Sequence, residues 1–215
     1  RWRLTLHDSE DVPFAALDSG AARFVDEMVT PPEQREAARV VTGQLKSIDF
    51  AEHKVTLIYP PTSRELACFY REDIEELLYE CRRDFIQVTG QVLLDDAGEP
   101  RQIIGVTDIR ELDLSPIMLD VIDTAPLCLR AVPPLMLEPN QDESRQLLCV
   151  AEPSIGLDVF AASREYLLLE IREQLAMLWQ EFARAPDDEL TAKARMLKNA
   201  LRSRFSEVAR ATQTA

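Results

Sequence analysis

The side chains of this chain that could do chemistry are first of all its carboxylates, and two adjacent pairs stand out. Asp95-Asp96 precedes a glycine, and Asp187-Asp188 follows a proline. A carboxylate pair that hydrolyses a glycoside or holds a metal ion is brought into a cleft from separate elements. Adjacent acids beside Gly or Pro are instead typical of turns and helix caps. We therefore predict that both pairs are solvated turn residues without a catalytic role.

The nucleophiles and metal-ligand types also lack the required spacing. A zinc site needs about four convergent ligands, yet no two cysteines form a C-x-x-C pair and neither histidine lies near a cysteine cluster. Ser163 has no G-x-S-x-G context, and no glycine-rich phosphate loop occurs. We predict no catalytic residue, no metal site and no cofactor, and an enzyme of unrecognised type is the last of our alternatives. The four cysteines of the chain are Cys68, Cys81, Cys128 and Cys149, and its two histidines are His7 and His53.

Charge is the strongest bulk property of the sequence. The 215 residues include 38 Asp+Glu and 24 Lys+Arg, which gives a net charge of −14. An acidic surface repels phosphate and speeds association with basic proteins. Residues 191–215 differ, with six Lys and Arg against one Glu, a net charge of +5, and they are the segment suited to a nucleic acid. No apolar run reaches the roughly 18–20 residues that span a membrane, and the cysteine usage suits a reduced, cytoplasmic setting.

Residues 38–113 have the element order of a small barrel. Alternating apolar and polar residues predict five strands, with one helix between the third and the fourth. This order resembles the OB fold, a five-stranded barrel. V-T-G-Q occurs twice, at 41–44 and 88–91, which indicates a local repeat of barrel geometry. The predicted strands are Val40–Phe50, Lys54–Tyr59, Glu65–Tyr70, Phe85–Leu94 and Gln102–Leu112, and the predicted helix is Glu72–Arg82.

The flanking segments complete the prediction of an α+β protein. Residues 1–37 are expected to form a short strand and an amphipathic helix between Phe14 and Met28. Residues 114–134 contain four prolines and are expected to be a packed connection. Residues 135–215 are expected to form a small sheet backed by two helices, the first of them capped by Ser163. The predicted fold is thus an OB-like five-stranded β-barrel plus a small β-sheet packed on two C-terminal helices.

Eight residues are candidate contacts for a nucleic acid or a protein partner. In the barrel, an aromatic ring beside a basic residue is the pattern with which OB folds stack on bases. Strand alternation places Phe69 and Tyr70 on opposite faces, so at most one of them lies on a binding surface. The cations of the last helix form either a solvated face that pairs with the acidic body or a clamp for nucleic acid or an acidic partner. The candidates are Lys46, Tyr59, Tyr70, Lys193, Arg195, Lys198, Arg202 and Arg204.

A motif within residues 135–182 suggests a family. It is Pro153-Ser154-Ile155-Gly156-Leu157-Asp158-Val159-Phe160, then Ala161-Ala162-Ser163-Arg164-Glu165-Tyr166 and an amphipathic helix. This resembles the HicB antitoxins, in which short strands lead into P-x-L-G-[IL]-x-V-x-G-x-T-x-E-E-A and a helix. The chain departs at Ala161, where that family usually has Gly, and at Tyr166, where it often has Ala. The resemblance covers under a quarter of the chain and implies a partly ferredoxin-like fold that occludes a basic toxin RNase without catalytic residues.

Charge, missing catalytic sets and this resemblance together favour a non-enzymatic binding or regulatory protein. We expect an antitoxin-like protein or an adaptor that uses an acidic surface to bind a basic protein partner, of which a toxin is one kind. The alternative is an OB-fold nucleic-acid-binding protein, assisted by the basic C-terminal helix. The sequence leaves the oligomeric state open.

Overall fold

The computed structural model describes residues 3–7, 13–18, 37–79, 84–125 and 127–208. The first two ranges are a hairpin of strands β1 (Arg3–His7) and β2 (Pro13–Asp18). The predicted N-terminal strand is therefore confirmed. The helix predicted between Phe14 and Met28 is wrong at its start, because residues 13–18 pair with β1 as a strand, and the rest of it lies outside the described residues.

The barrel predicted for residues 38–113 is present as a closed sheet in the order β3-β4-β5-β7-β6. Its neighbouring strands are antiparallel, except that β5 and β7 run parallel. A long first strand that pairs with the second and the fourth, together with parallel closure between the third and the fifth, makes the barrel OB-like. The strands are β3 (Ala37–Asp49), β4 (Lys54–Tyr59), β5 (Arg64–Phe69), β6 (Phe85–Leu94) and β7 (Pro100–Glu111).

The two V-T-G-Q segments lie on the neighbouring strands β3 and β6 and extend in opposite directions from one shared pair. Val41 is opposite Val88 in the antiparallel ladder. A two-fold axis through that pair relates residues 41–44 to residues 88–91, as in any antiparallel ladder. The repeat seen in the sequence is therefore a repeat in space.

The glycine of each copy lies where a neighbouring strand crosses close to the backbone. A Cβ added at Gly43 would lie 3.0 Å from Leu57 Cβ, and one added at Gly90 would lie 2.7 Å from Ile103 Cγ2. At both positions a side chain would force a neighbouring residue to shift, and such close approach is a common reason for a glycine inside a strand.

One end of the barrel is closed by a short helical segment. A 3₁₀ turn (Glu72–Ile74) leads into helix α1 (Glu75–Leu78), which packs against β7. Ile74 and Leu78, four residues apart and so on one helical face, are buried in the barrel core. The predicted helix is confirmed up to this point, and residues 80–83 lie outside the described part of the chain.

Residues 114–134, expected to be a packed connection, contribute most of a hairpin. Its strands are β8 (Ile117–Thr124) and β9 (Leu127–Leu137), and alternate residues of both are buried. Pro133 and Pro134 lie where the register of β8 against β9 shifts, so the ladder does not need their missing N–H groups.

The remaining strands form two three-stranded sheets. Strand β13 (Phe205–Glu207) pairs with β9, which gives the order β13-β9-β8. The other sheet consists of β10 (Asn140–Gln141), β11 (Leu148–Glu152) and β12 (Leu157–Ala161). The last helix ends before Phe205. This residue is the first of β13, and its ring is buried.

Two helices cover these sheets, and the cap predicted for the first, Ser163, is confirmed. Helix α2 (Arg164–Leu178) begins after Ser163, whose Oγ accepts a hydrogen bond from the N–H of Tyr166 (3.4 Å), and it continues into a π-helical turn at 179–183. Helix α3 (Ala192–Arg204) begins after Thr191, which accepts from the N–H of Ala194 (3.2 Å). Among the described residues, no helix is both long and apolar enough to cross a membrane.

The barrel core and the core of the C-terminal unit are separate apolar clusters that meet at a polar seam. Nε2 of the buried Gln87 on β6 donates to Ala162 O (2.8 Å) and to Thr42 Oγ1 (3.2 Å). The Gln146 amide accepts from the N–H of Thr42 (3.2 Å) and donates to its C=O (2.8 Å). These side chains of Thr42, Gln87 and Gln146, with the Ala162 carbonyl, are the polar seam below.

Candidate functional site

The three barrel residues predicted as contacts lie in different environments. Lys46, on β3, is exposed and forms an ion pair with Glu65. Tyr59 and Tyr70 are buried, with 9% and 5% of their surface accessible, so neither offers a ring face to a partner. Alternation did place Phe69 and Tyr70 on opposite faces, but the outward ring is Phe69.

Lys198, predicted as a contact on the last helix, is a structural residue. Its side chain is buried, and Nζ donates to Ala185 O (2.6 Å) and to Asp187 Oδ1 (2.5 Å). The hydrogen bond from Lys198, followed by its charge, lowers the pKa of Asp187. This lysine therefore fastens the middle of α3 to the turn that follows α2.

The other four cations of α3 divide into two pairs. Arg195 and Arg202 are exposed but donate from Nε to backbone carbonyl groups, those of Leu190 (3.1 Å) and Ala183 (2.8 Å). Lys193 and Arg204 have no hydrogen bond or ion pair with any residue that the structure describes. Only these last two keep the whole of their charged group for a ligand.

A surface that the sequence did not single out lies at the helix-closed end of the barrel. The rings of Phe50 and Tyr79 stack there, with centroids 5.5 Å apart and planes 16° from parallel. Both are exposed, Tyr79 to 71%. Carboxylates flank them in the turn after β3 and along the helical segment. We call this set the acidic aromatic surface: Phe50, Tyr79, Asp49, Glu52, Glu72, Glu75 and Glu76.

The turn between β3 and β4 places Phe50 on this surface. Asp49 Oδ1 accepts hydrogen bonds from the N–H groups of Ala51 and Glu52, both at 3.1 Å. This arrangement, in which an Asp side chain bonds to backbone two or three residues ahead, is a standard turn device. His53 completes the turn with a φ of 45°.

Glu75 connects the exposed stack to buried groups beneath it. Tyr79 Oη donates to Glu75 Oε1 (3.3 Å), while Glu75 Oε2 lies 3.6 Å from His53 Nδ1. The His53 ring meets the Tyr70 ring edge-on, with centroids 5.7 Å apart. The buried atoms His53 Nδ1 and Tyr70 Oη have no hydrogen-bond partner among the described residues. The inner side of the surface therefore has two buried polar atoms that form no hydrogen bond with the described residues.

The electrostatics of this surface favour cations. Burial first, and then the charges of Glu75 and Asp49, raise the pKa of Tyr70. The hydrogen bond to Glu75 raises the pKa of Tyr79. Both phenols therefore stay protonated at neutral pH. Of the neighbouring cations, Arg71 is paired with Asp73 (2.8 Å). Counted over the described residues, the surface is therefore predominantly anionic.

Such an arrangement can bind a cation. An exposed aromatic face attracts ammonium and guanidinium groups, and carboxylates add charge-assisted hydrogen bonds. Within the described residues, no group of three or more His, Cys, Asp and Glu side chains could hold a metal ion. Burial raises the pKa of the Cys68 thiol to about 12, which keeps it from acting as a thiolate nucleophile at neutral pH.

The alternation of β4 identifies one outward aromatic ring, Phe69, but this ring is not part of the acidic aromatic surface. The core-facing side of β4 is identified by its inward residues, Val55, Leu57 and Tyr59. Lys54 therefore faces outward, and Phe69, which is opposite Lys54 in the ladder, faces outward as well. No comparable signal pairs Phe50 with Tyr79, because 29 residues and two strands separate them.

The comparisons with known proteins do not add a family to this geometry. No family model, no curated protein and no solved structure matches the chain.

Proposed function

We propose that this chain is a non-enzymatic binding protein, and that its acidic aromatic surface holds a basic segment of a partner protein. The observation that carries the proposal is the exposed Phe50–Tyr79 stack among carboxylates. Exposed aromatic residues supply much of the energy of protein interfaces. The surrounding acids select a basic partner and speed its approach.

An antitoxin-like protein and an adaptor are both forms of this proposal. The order of β11, β12 and α2, with Ser163 as the helix cap, agrees at a coarse level with the HicB-like motif. The acidic surface suits a basic toxin as well as any other basic protein. A cytoplasmic location is part of the same proposal.

The first test is purification of the native chain from its host, with and without nuclease, beside the variant Phe50→Ala/Tyr79→Ala. We expect a stoichiometric basic protein that survives nuclease and is lost from the double variant. Loss of two aromatic contacts should weaken binding by at least about tenfold. Binding should also weaken as salt rises, because the charges on this surface are exposed to solvent.

A matched control uses an exposed ring elsewhere. Phe160 on β12 is 52% accessible, so Phe160→Ala removes a comparable surface aromatic from the C-terminal unit and should leave the complex intact. Equal loss of the partner in both variants would contradict the assignment to the acidic aromatic surface. Turnover of a substrate by the purified chain would contradict the proposal as a whole.

The alternative function is nucleic-acid binding by the OB-like barrel, assisted by α3. The observation in its favour is that α3 carries five cations and no acid. A single-stranded DNA or RNA oligonucleotide should then bind with steep salt dependence. Absence of binding at about 50 mM salt would remove this alternative.

A further inference from the structure

Two adjoining cavities form a groove along α3, apart from the acidic aromatic surface. Their volumes are about 620 Å³ and 320 Å³, and both are lined by Ser154 and Ala200. One wall is α3, and the other includes the 3₁₀ turn Pro153–Ile155 that precedes β12. We call the combined feature the α3 groove.

The larger part of the α3 groove is lined mainly by apolar side chains. Phe182 and Leu197 pack on the core and are partly buried, whereas Met196 is 73% accessible. Gly156 has a φ of 71°, and a Cβ added there would lie 3.2 Å from Leu197 Cδ1. The glycine thus allows backbone and Leu197 to meet closely in this lining. An exposed methionine beside such a groove is typical of surfaces that bind apolar segments.

The charge around the α3 groove is positive, although the molecule is acidic. Helix α3 has five cations and no acid. Lys193 lines the larger cavity and Arg204 the smaller, and neither has a partner among the described residues. Eleven residues of helix separate them, a distance of roughly 16 Å. Of the described residues that line the groove, Glu152 is the one acid, and its Oε1 already accepts from the N–H (3.3 Å) and Oγ (2.6 Å) of Ser154.

We propose that the α3 groove binds an acidic amphipathic helix of a partner protein. An apolar face of about three turns would lie along the groove, and its carboxylates would meet Lys193 and Arg204 at the two ends. Charge complementarity identifies this occupant, since the groove is positive where most of the chain is negative. The apolar lining favours a protein helix over a nucleic acid. Proteins that bind nucleic acids contact the phosphates with cationic side chains and the bases with aromatic rings. This site is independent of the proposed basic partner, so either proposal can fail without the other.

The test uses the full chain and two labelled synthetic helical peptides with the same leucine spacing. One carries Glu at its polar positions and the other carries Lys. We expect the Glu peptide to bind at least about tenfold more tightly, with binding measured by fluorescence anisotropy. Lys193→Glu should weaken binding of the Glu peptide by about fivefold to tenfold, and Met196→Glu by about tenfold or more.

Matched controls separate the α3 groove from general effects of charge. Met118 on β8 is 70% accessible, so Met118→Glu makes the same change at equal exposure elsewhere, and Arg172→Glu reverses an exposed charge on α2. Neither should alter binding. The proposal is overturned if the two peptides bind equally, or if the controls weaken binding as much as the groove variants. It is also overturned if Lys193→Glu leaves the Glu peptide unaffected and abolishes binding of a single-stranded oligonucleotide.

Discussion

At the scale of single residues, Glu207 has an unusually rich set of donors for a surface acid. Its Oε1 accepts from Trp179 Nε1 (2.6 Å) and from Arg184 Nε (2.8 Å), and its Oε2 accepts from Arg184 Nη2 (2.8 Å). The hydrogen bonds from Arg184 and then Trp179 lower the pKa of Glu207 from 4.5 to about 2. This carboxylate fastens β13 to the end of α2.

A glutamine at this position should lower stability in a pH-dependent way. The native carboxylate stabilises the fold fully above the unfolded-state pKa, and this contribution is lost as the pH falls from about 4.5 through about 2. We expect Glu207→Gln to cost about 1 kcal/mol at pH 7, since the group is 42% exposed and solvent screens its charge. Urea denaturation at pH 7 and pH 3 checks this, because the difference from the native chain should shrink by roughly half at pH 3. A pH-independent difference would contradict it.

The sequence predicts which types of residue are available for binding better than it predicts which residues lie close together in the fold. Strand alternation predicts that one of the rings of Phe69 and Tyr70 faces outward and the other inward. It does not say which ring faces outward until the orientation of one residue in the strand is known. Lys198 shows another limit. Its charge suggested a surface role, and burial over the turn at Asp187 depends on tertiary packing that no local pattern encodes.

At the scale of elements, the strand glycines are the sites where the barrel wall should tolerate least change. A methyl group at Gly90 would meet Ile103 Cγ2 at 2.7 Å and the Ile104 carbonyl oxygen at 3.1 Å. We expect Gly90→Ala to cost about 1–3 kcal/mol, the usual range for overpacking. Chemical denaturation measures this cost.

The turn glycine Gly98 is the matched control. It has nothing within 4 Å of an added Cβ and a φ of 80°, a conformation that asparagine tolerates better than most residues. We expect Gly98→Asn to cost about 1 kcal/mol, the lower end of the range for a non-glycine residue at positive φ. A larger loss at Gly98 than at Gly90 would show that turn conformation, not close packing of strands, limits this barrel.

Element prediction succeeded where local pattern and tertiary role agree. The five barrel strands alternate in the sequence and are half-buried in the fold, so their order could be predicted. The hairpin of residues 117–137 could not be predicted, because its prolines made the sequence resemble a connection between two units. The helix predicted from Phe14 was wrong in the opposite sense. Its spacing is helical, but residues 13–18 form a strand because they pair with β1.

At the scale of the whole molecule, the polar seam should couple the two units. Gln87 is buried and donates to Ala162 O across the seam. Gln87→Ala leaves that acceptor without its donor, and we expect a loss of about 1–3 kcal/mol. Hydrogen exchange should accelerate in both β6 and β12, because each loses part of its support.

Gln91 provides the comparison for this prediction. It lies on the same strand but is exposed, so Gln91→Ala should change the free energy of unfolding by no more than about 0.5 kcal/mol. If Gln87→Ala accelerated exchange in β6 alone, the seam would be a contact without a coupling role.

The amide of Gln146 has a consequence for how this barrel meets other chains. It makes the same pair of bonds to Thr42 that a neighbouring strand would make, just before β3 begins its ladder with β4 at Gln44. Open N–H and C=O groups at such a place invite pairing with a foreign strand, and with it aggregation. By supplying one side chain as a substitute for a strand, the C-terminal unit occupies the backbone groups of Thr42 with which a strand of another molecule could otherwise pair.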